Sequence, residues 1–209
     1  MPARTPRFLY FDLGNVLLHF DHALASRQMA AVAGVAPERI WEVVYETGLF
    51  LRRETRELSD EAYYELICQQ IGCRPDSVAL EHAGCDIFRS NLTMIPVISQ
   101  LKAAGQRLGM LSNTCSAHFK FFASGRFQMI PEAFEVVVTS FDEGVMKPDR
   151  RIYEIAAARA GVSPEEIFFA DDMPANVEGA RAAGIDAVQY TDTPALLRDL
   201  RARGLRFND

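Results

Sequence analysis

The stretch Phe8-Leu-Tyr-Phe-Asp12-Leu-Gly14-Asn15-Val16-Leu-Leu18 decides how this chain is read. An aromatic-rich apolar run stops at one carboxylate, a Gly-Asn pair follows, and apolar residues resume. That is the pattern of a buried strand ending in a sharp turn. In an open parallel sheet, ligands bind outside the carboxyl ends of the strands. Asp12 is therefore placed where chemistry happens, and the rest of the chain is read as parts brought to it.

Working outward, residues 20–92 read as helical, without a strand pattern. Asp21 caps a helix running through about Val32, and Pro37 starts a second that carries Ile40, Trp41, Val44 and Tyr45. Ser59-Asp60-Glu61 opens a third, with acids in the first turn where the helix dipole favours them. Asp76 begins a fourth, through about Phe88. From residue 93 the texture changes. Pro96 opens a helix through Ala104, and Arg107–Leu111 is a short buried strand ending at Ser112-Asn113-Thr114. Glu135–Ser140 is a third strand, Ile167–Ala170 a fourth and Asp186–Tyr190 a fifth. Helices separate them: Arg150–Ala160, a Pro-started capping box at Ser163–Glu166, Ala175 to Gly184, and one opened by Pro194. The tail from Arg206 reads as loose. Strands alternating with helices predict an α/β fold, a doubly wound parallel sheet with helices on both faces. Residues 1–19 and 93–209 form the expected α/β core, and 20–92 form an inserted all-helical cap over the carboxyl edge of the sheet.

The 209 residues suit one domain with an insertion, or two small ones. A formal charge of −6 argues against a nucleic-acid partner. No apolar run approaches the ~20 residues of a membrane span, and the start, Met1-Pro-Ala-Arg-Thr-Pro-Arg7, is not a secretory signal. Cys68, Cys73, Cys85 and Cys115 match no zinc spacing and read as reduced thiols. A cytoplasmic protein is expected, and the exposed face of the cap helices could serve a homodimer.

Four strand ends carry polar chemistry: Asp12, Ser112-Asn113, Lys147 in the loop after the third strand, and Asp171-Asp172. Asp12, Asp171 and Asp172 would gather three carboxylates, and like charges that close need a cation. Three oxygens plus waters suit Mg²⁺, a hard octahedral ion. Lys147 adds a positive charge and Ser112 a donor, which suits an anion with several oxygens, such as phosphate.

The ordered set of Asp12 with its strand, Leu111-Ser112-Asn113-Thr114, Lys147-Pro148-Asp149, and Phe169-Ala-Asp171-Asp172 with Asn176 resembles the haloacid dehalogenase superfamily over nearly the whole chain. The resemblance implies a Rossmann-like core with a helical cap, and a Mg²⁺-dependent phosphatase acting on a small phosphorylated substrate. It makes Asp12 the nucleophile that forms an aspartyl-phosphate, with Ser112 and Lys147 completing the catalytic set. Asn15, Ser112, Asn113 and Lys147 would bind substrate. Asp12, the Gly14 carbonyl, Asp171 and Asp172 would serve the metal, Asp171 either through a bound water or paired with Lys147. Asn176 would support the site.

One position departs from the family pattern. Most of its phosphatases carry a second Asp two residues after the nucleophile, as general acid and base; here that residue is Gly14. The Asp-Leu-Gly-Asn-Val form resembles a subgroup that includes bacterial sugar-phosphate phosphatases, one of them acting on glucose 1-phosphate. A general acid contributes about 10²–10⁴-fold, so a slow enzyme or a stable leaving group is expected. His19 and Asp21 are candidate substitutes, though both also read as loop and cap residues. Arg52, Arg53, Glu54, Arg56 and Glu57 read as a solvated, ion-paired helix face, unless one of them points at the substrate. Two alternatives follow: a metal-free 2-haloacid dehalogenase, which the paired acids oppose, and a non-catalytic binding protein, supported only by Gly14.

Overall fold

The computed structural model describes residues 5–127 and 130–207. The expectations placed on Met1 to Arg4 and on Asn208-Asp209 lie outside the described residues. The apolar run does form a strand, β1 (Phe8–Phe11), with every residue buried. Its side chains alternate between faces as a strand requires. Leu9 and Phe11 enter one core layer, and Phe8 and Tyr10 enter the other.

Four more strands flank it: β4 (Leu108–Ser112), β5 (Val136–Thr139), β6 (Ile167–Asp171) and β7 (Asp186–Gln189). They form one parallel sheet in the order β5-β4-β1-β6-β7. β1 is central and buried on both faces, which explains its unbroken apolar run. Helices α6 (Met94–Ala103) and α11 (Thr193–Ala202) cover one face, while α9 (Arg150–Ala160) and α10 (Pro174–Ala182) cover the other. Gly109 of β4 must lack a side chain: an added Cβ would lie 2.4 Å from the Tyr10 ring and 2.6 Å from the Phe8 ring.

The helical insertion comprises α1 (His22–Ala33), α2 (Pro37–Trp41), α3 (Leu49–Glu54), α4 (Asp60–Ile71) and α5 (Ser77–Cys85), around a core of its own that includes Ile40, Val43, Leu49 and Ile67. Asp21, Ser59 and Asp76 accept from backbone N–H groups as N-caps, and Gly34 and Gly72 end their helices in the left-handed region. α2 runs on through a π turn at Glu42–Glu46.

The expectation that residues 20–92 hold no strand is corrected. Leu18–Phe20 (β2) pairs antiparallel with Phe88–Ser90 (β3) at the base of the insertion. The two strands have three residues each, too few to show a period, and α5 accordingly ends at Cys85 rather than near Phe88. Smaller departures are local. α6 begins at Met94, ahead of Pro96. The capping box at Ser163 forms a single 3-10 turn. Two short helices, α7 (Ser116–Phe122), separated from β4 by three residues, and α8 (Ser140–Glu143), directly after β5, complete the strand exits. All four cysteines are free thiols. Among the described residues, no helix is long and apolar enough to cross a membrane.

Candidate active site

The strand order places the carboxyl ends of β4, β1 and β6 side by side, so the residues that follow them meet. Asp12 leaves β1 with its backbone N–H donating to the Ala170 carbonyl, 2.9 Å away. At the centre stands Lys147, whose ammonium lies 2.8 Å from Asp12 Oδ1 and 2.6 Å from Asp171 Oδ2. It also donates to the Leu111 carbonyl at 2.9 Å. Three donors meet three acceptors, so the buried amine is fully satisfied. Burial works against its charge, but Asp12 and Asp171 outweigh that and hold its pKa above the ordinary value.

Asp171 is equally committed. It accepts from Lys147, from Asn176 Nδ2 at 3.0 Å and from the Met173 N–H at 2.8 Å. The pairing with Lys147 matches one of the two positions expected for Asp171. Asn113 braces the same lysine from outside. Its Nδ2 donates to the Lys147 carbonyl and its Oδ1 accepts from the Lys147 N–H, both at 2.9 Å. Asn15, in the left-handed region at φ 54, donates to Asp172 Oδ2 at 3.0 Å. Both asparagines, expected to face substrate, line the site cavity, Asn15 with an amide proton on Asp172 and Asn113 bracketing the Lys147 backbone. Ser112 keeps a freer hydroxyl, with one long contact of 3.4 Å to the Asn113 carbonyl.

Carboxylate oxygens of Asp12, Asp171 and Asp172 lie within 4.8 Å of one another. With Lys147 beside them, three carboxylates and one ammonium leave two negative charges, the complement of a divalent cation. Without one the cluster is strained electrostatically. Burial pushes Asp12 up to about 7, Lys147 opposes this, and Asp171 and Asp172 add to it. Asp172 is raised as well, mainly by burial.

The cluster floors a cavity of about 250 Å³ whose roof is aromatic: Phe20 and Phe88 from the two-stranded ribbon, His22 from α1, Phe50 from α3 and His118 from α7. Phe50 packs against His22 and His118, with ring centroids 5.3 and 5.4 Å away. Burial holds both histidines down to about 4. Glu54 joins this lining. Its charged neighbours in sequence go elsewhere. Arg53 is pinned by Asp60 at 2.8 Å and Glu81 at 3.1 Å, while Arg52 pairs with Glu57 on the surface. The proposed substitutes for the missing acid do not reach the site: Asp21 caps α1, and His19 is exposed on the ribbon.

Gly14 has a steric reason. A Cβ there would lie 2.7 Å from Phe20 Cε1, so the β2 aromatic ring occupies the space an acid at this position would need. Gly14→Asp is expected to be destabilised by about 1–3 kcal/mol through overpacking, read as a lower thermal midpoint. An unchanged midpoint would show that the ring swings aside freely.

Comparison with known proteins identifies the family. The family model for haloacid dehalogenase-like hydrolases matches residues 8–184, and the chain belongs to that family of hydrolases. It is 26% identical over 195 residues to the sesquiterpene phosphatase astK of Aspergillus oryzae, covering 91% of this chain and 93% of that one. It is 28% identical over 194 residues to the phosphatase MT3486 of Mycobacterium tuberculosis, covering 85% and 83%. A further relative, acyl-CoA dehydrogenase family member 10 of Mus musculus, is far longer, and the match spans 10% of it. Among solved structures, a haloacid dehalogenase family enzyme of Bacteroides thetaiotaomicron, crystallised with magnesium and inorganic phosphate, superposes with a TM-score of 0.81 at 22% identity, over 92% of this chain and 100% of that one.

Proposed function

We propose that this hydrolase is a Mg²⁺-dependent phosphatase that cleaves a small phosphorylated metabolite through an aspartyl-phosphate on Asp12. The observation that carries the reading is the buried Asp12–Lys147–Asp171 chain beside Asp172, with contacts of 2.8 and 2.6 Å at its centre. The named phosphatases among the relatives, and the magnesium and phosphate in the Bacteroides enzyme, support it.

The residues fit a divalent ion. Asp12 and Asp172, with the Gly14 carbonyl, would hold Mg²⁺, and Asp171 would stay behind Lys147. When bound, the ion supplies positive charge against the nucleophile and the phosphoryl oxygens. Asp12 attacks phosphorus and the ester P–O bond breaks, leaving the phosphoryl group on the Asp12 carboxylate. Lys147 neutralises the charge spread over the phosphoryl oxygens in transfer, and the Ser112 hydroxyl donates to one of them. Water then releases phosphate and restores the carboxylate.

Residues 20–92 act as the cap that encloses the leaving group, so the roof of the cavity chooses the substrate. Aromatic rings suit either the apolar face of a sugar or a hydrocarbon chain; the sugar-phosphate expectation rests on the Asp-Leu-Gly-Asn-Val resemblance. The metal-free dehalogenase alternative leaves the clustered carboxylates without a counter-cation. The test is phosphate release from a panel of sugar phosphates and apolar phosphate esters. Activity is expected with Mg²⁺ and not after chelation. Mg²⁺ at about a hundred times its Kd is also expected to raise the thermal midpoint by about 5–10 °C. Turnover that survives chelation would overturn the reading.

A further inference from the structure

The phosphatase reading leaves one proton without a carrier. The oxygen that leaves phosphorus must be protonated, and the water that attacks the aspartyl-phosphate must lose a proton. The position where the family pattern keeps its acid is Gly14, and Phe20 fills the space beside it. The carrier must therefore come from elsewhere in the cavity.

The titratable groups that line the cavity narrow the choice. Asp12 is the nucleophile, and Asp172 is held by Asn15. The protons of Lys147 are committed to Asp12, Asp171 and Leu111. His22 and His118 are neutral, and the His118 ring contacts the Gly84 carbonyl at 3.2 Å. Glu54 remains, and the local fold directs it inward. Phe50 and Glu54 are one helical turn apart on α3, so they share a face, and both line the cavity over Asp12. Leu49 and Arg53, one position earlier in each case, face the core of the insertion instead.

We propose that Glu54 is the general acid and base of this active site, delivered by the insertion instead of by the strand-end loop. The inference rests on the phosphatase reading above. In the first step the Asp12 carboxylate bonds to phosphorus, the ester P–O bond breaks, and the departing oxygen takes the Glu54 proton. In the second, ionised Glu54 takes a proton from water. The resulting hydroxide bonds to phosphorus, the Asp12–phosphorus bond breaks, inorganic phosphate leaves, and Glu54 is again protonated.

The surroundings favour a protonated starting state. Burial pushes Glu54 up to about 8, with the Asp12 carboxylate adding to the shift and the Lys147 ammonium opposing it. The acid function is therefore present below about pH 8 and lost above it. This reverses the leaving-group expectation drawn from Gly14: with Glu54 in place, turnover depends only weakly on leaving-group basicity.

The test compares wild type, Glu54→Gln and Glu54→Asp in saturating Mg²⁺, on p-nitrophenyl phosphate and on alkyl phosphates of increasing leaving-group basicity. Glu54→Gln is expected to lose about 10²–10⁴-fold in kcat on alkyl phosphates. With p-nitrophenyl phosphate it should still release a burst of one nitrophenolate per site and then stall as trapped phosphoenzyme. The alkaline limb of the pH profile should vanish in Glu54→Gln and shift in Glu54→Asp. Equal losses on every substrate, with no burst and an unmoved pH limb, would overturn the assignment. If Glu54→Gln does not fold, an unshifted limb in Glu54→Asp overturns it alone. A wild type that releases no phosphate with Mg²⁺ would instead sink the phosphatase reading itself.

Discussion

Asp12→Asn is expected to abolish phosphate release, by about 10³–10⁶-fold in kcat, while the protein stays folded. The amide matches the carboxylate in shape but carries no charge and is a poor nucleophile, so no aspartyl-phosphate can form. The fold survives because Asp12 is a burden in the unliganded protein: it is buried, next to two other acids, and pushed up to about 7. A neutral amide removes that repulsion and still offers Lys147 an acceptor at the position of Oδ1, 2.8 Å away in the wild type. The thermal midpoint without metal is therefore expected to hold or rise, and the midpoint gain from added Mg²⁺ to shrink, because one ligand has lost its charge. Phosphate release and thermal denaturation with and without Mg²⁺ read both effects. Turnover within tenfold of wild type would place the chemistry elsewhere.

Much of the framework of this site was legible because Asp12, Ser112 and Asp171 each stand at the end of a buried strand, while Lys147 lies farther on, beyond α8. β1, β4 and β6 are runs of apolar residues that end abruptly in Asp12, Ser112 and Asp171, and a parallel sheet brings such ends together. The same logic could not say what the polar residues touch. Asn15 and Asn113 stand in the right loops, yet their amides serve Asp172 and Lys147. That depends on loop geometry, including the positive φ of Asn15, which no periodicity reports. The ribbon of β2 and β3 escaped notice because strands of three residues have no measurable period.

Glu54 shows the limit most clearly. Among Arg52, Arg53, Arg56 and Glu57 it has the look of a charged surface helix. α3 is only six residues long, entered through Gly48 in the left-handed region. Which of its faces meets the sheet is set by Phe50 contacts with nearby Tyr45 and with His22 and His118, the last two from parts of the chain remote in sequence.

Lys147→Met is expected to be the most damaging substitution to stability and activity together. Methionine fills the volume of the lysine stem without its charge. The ammonium now joins Asp12 Oδ1, Asp171 Oδ2 and the Leu111 carbonyl, all within 2.9 Å. Its loss leaves two buried carboxylates facing each other. Breaking a buried pair from one side typically costs about 3–5 kcal/mol, or about 6–20 °C in thermal midpoint for a chain of this size.

The penalty has a definite pH dependence. Asp12 already lies above the unfolded carboxylate value with Lys147 present, and removing the lysine raises it further. A carboxyl whose folded pKa is raised binds a proton more tightly when folded, so its stability contribution falls as pH rises from about 4 through the folded value. The variant should therefore lose more at about pH 8 than at about pH 5.5. Phosphate release should fall by about 10²–10³-fold even where the variant is folded, since an electrostatic contact to the transferring group is gone. Midpoints across pH, with kcat measured in saturating Mg²⁺ at the more stable pH, separate the two losses. A variant equally stable at both pH values would show that Lys147 is not what makes the acid cluster tolerable.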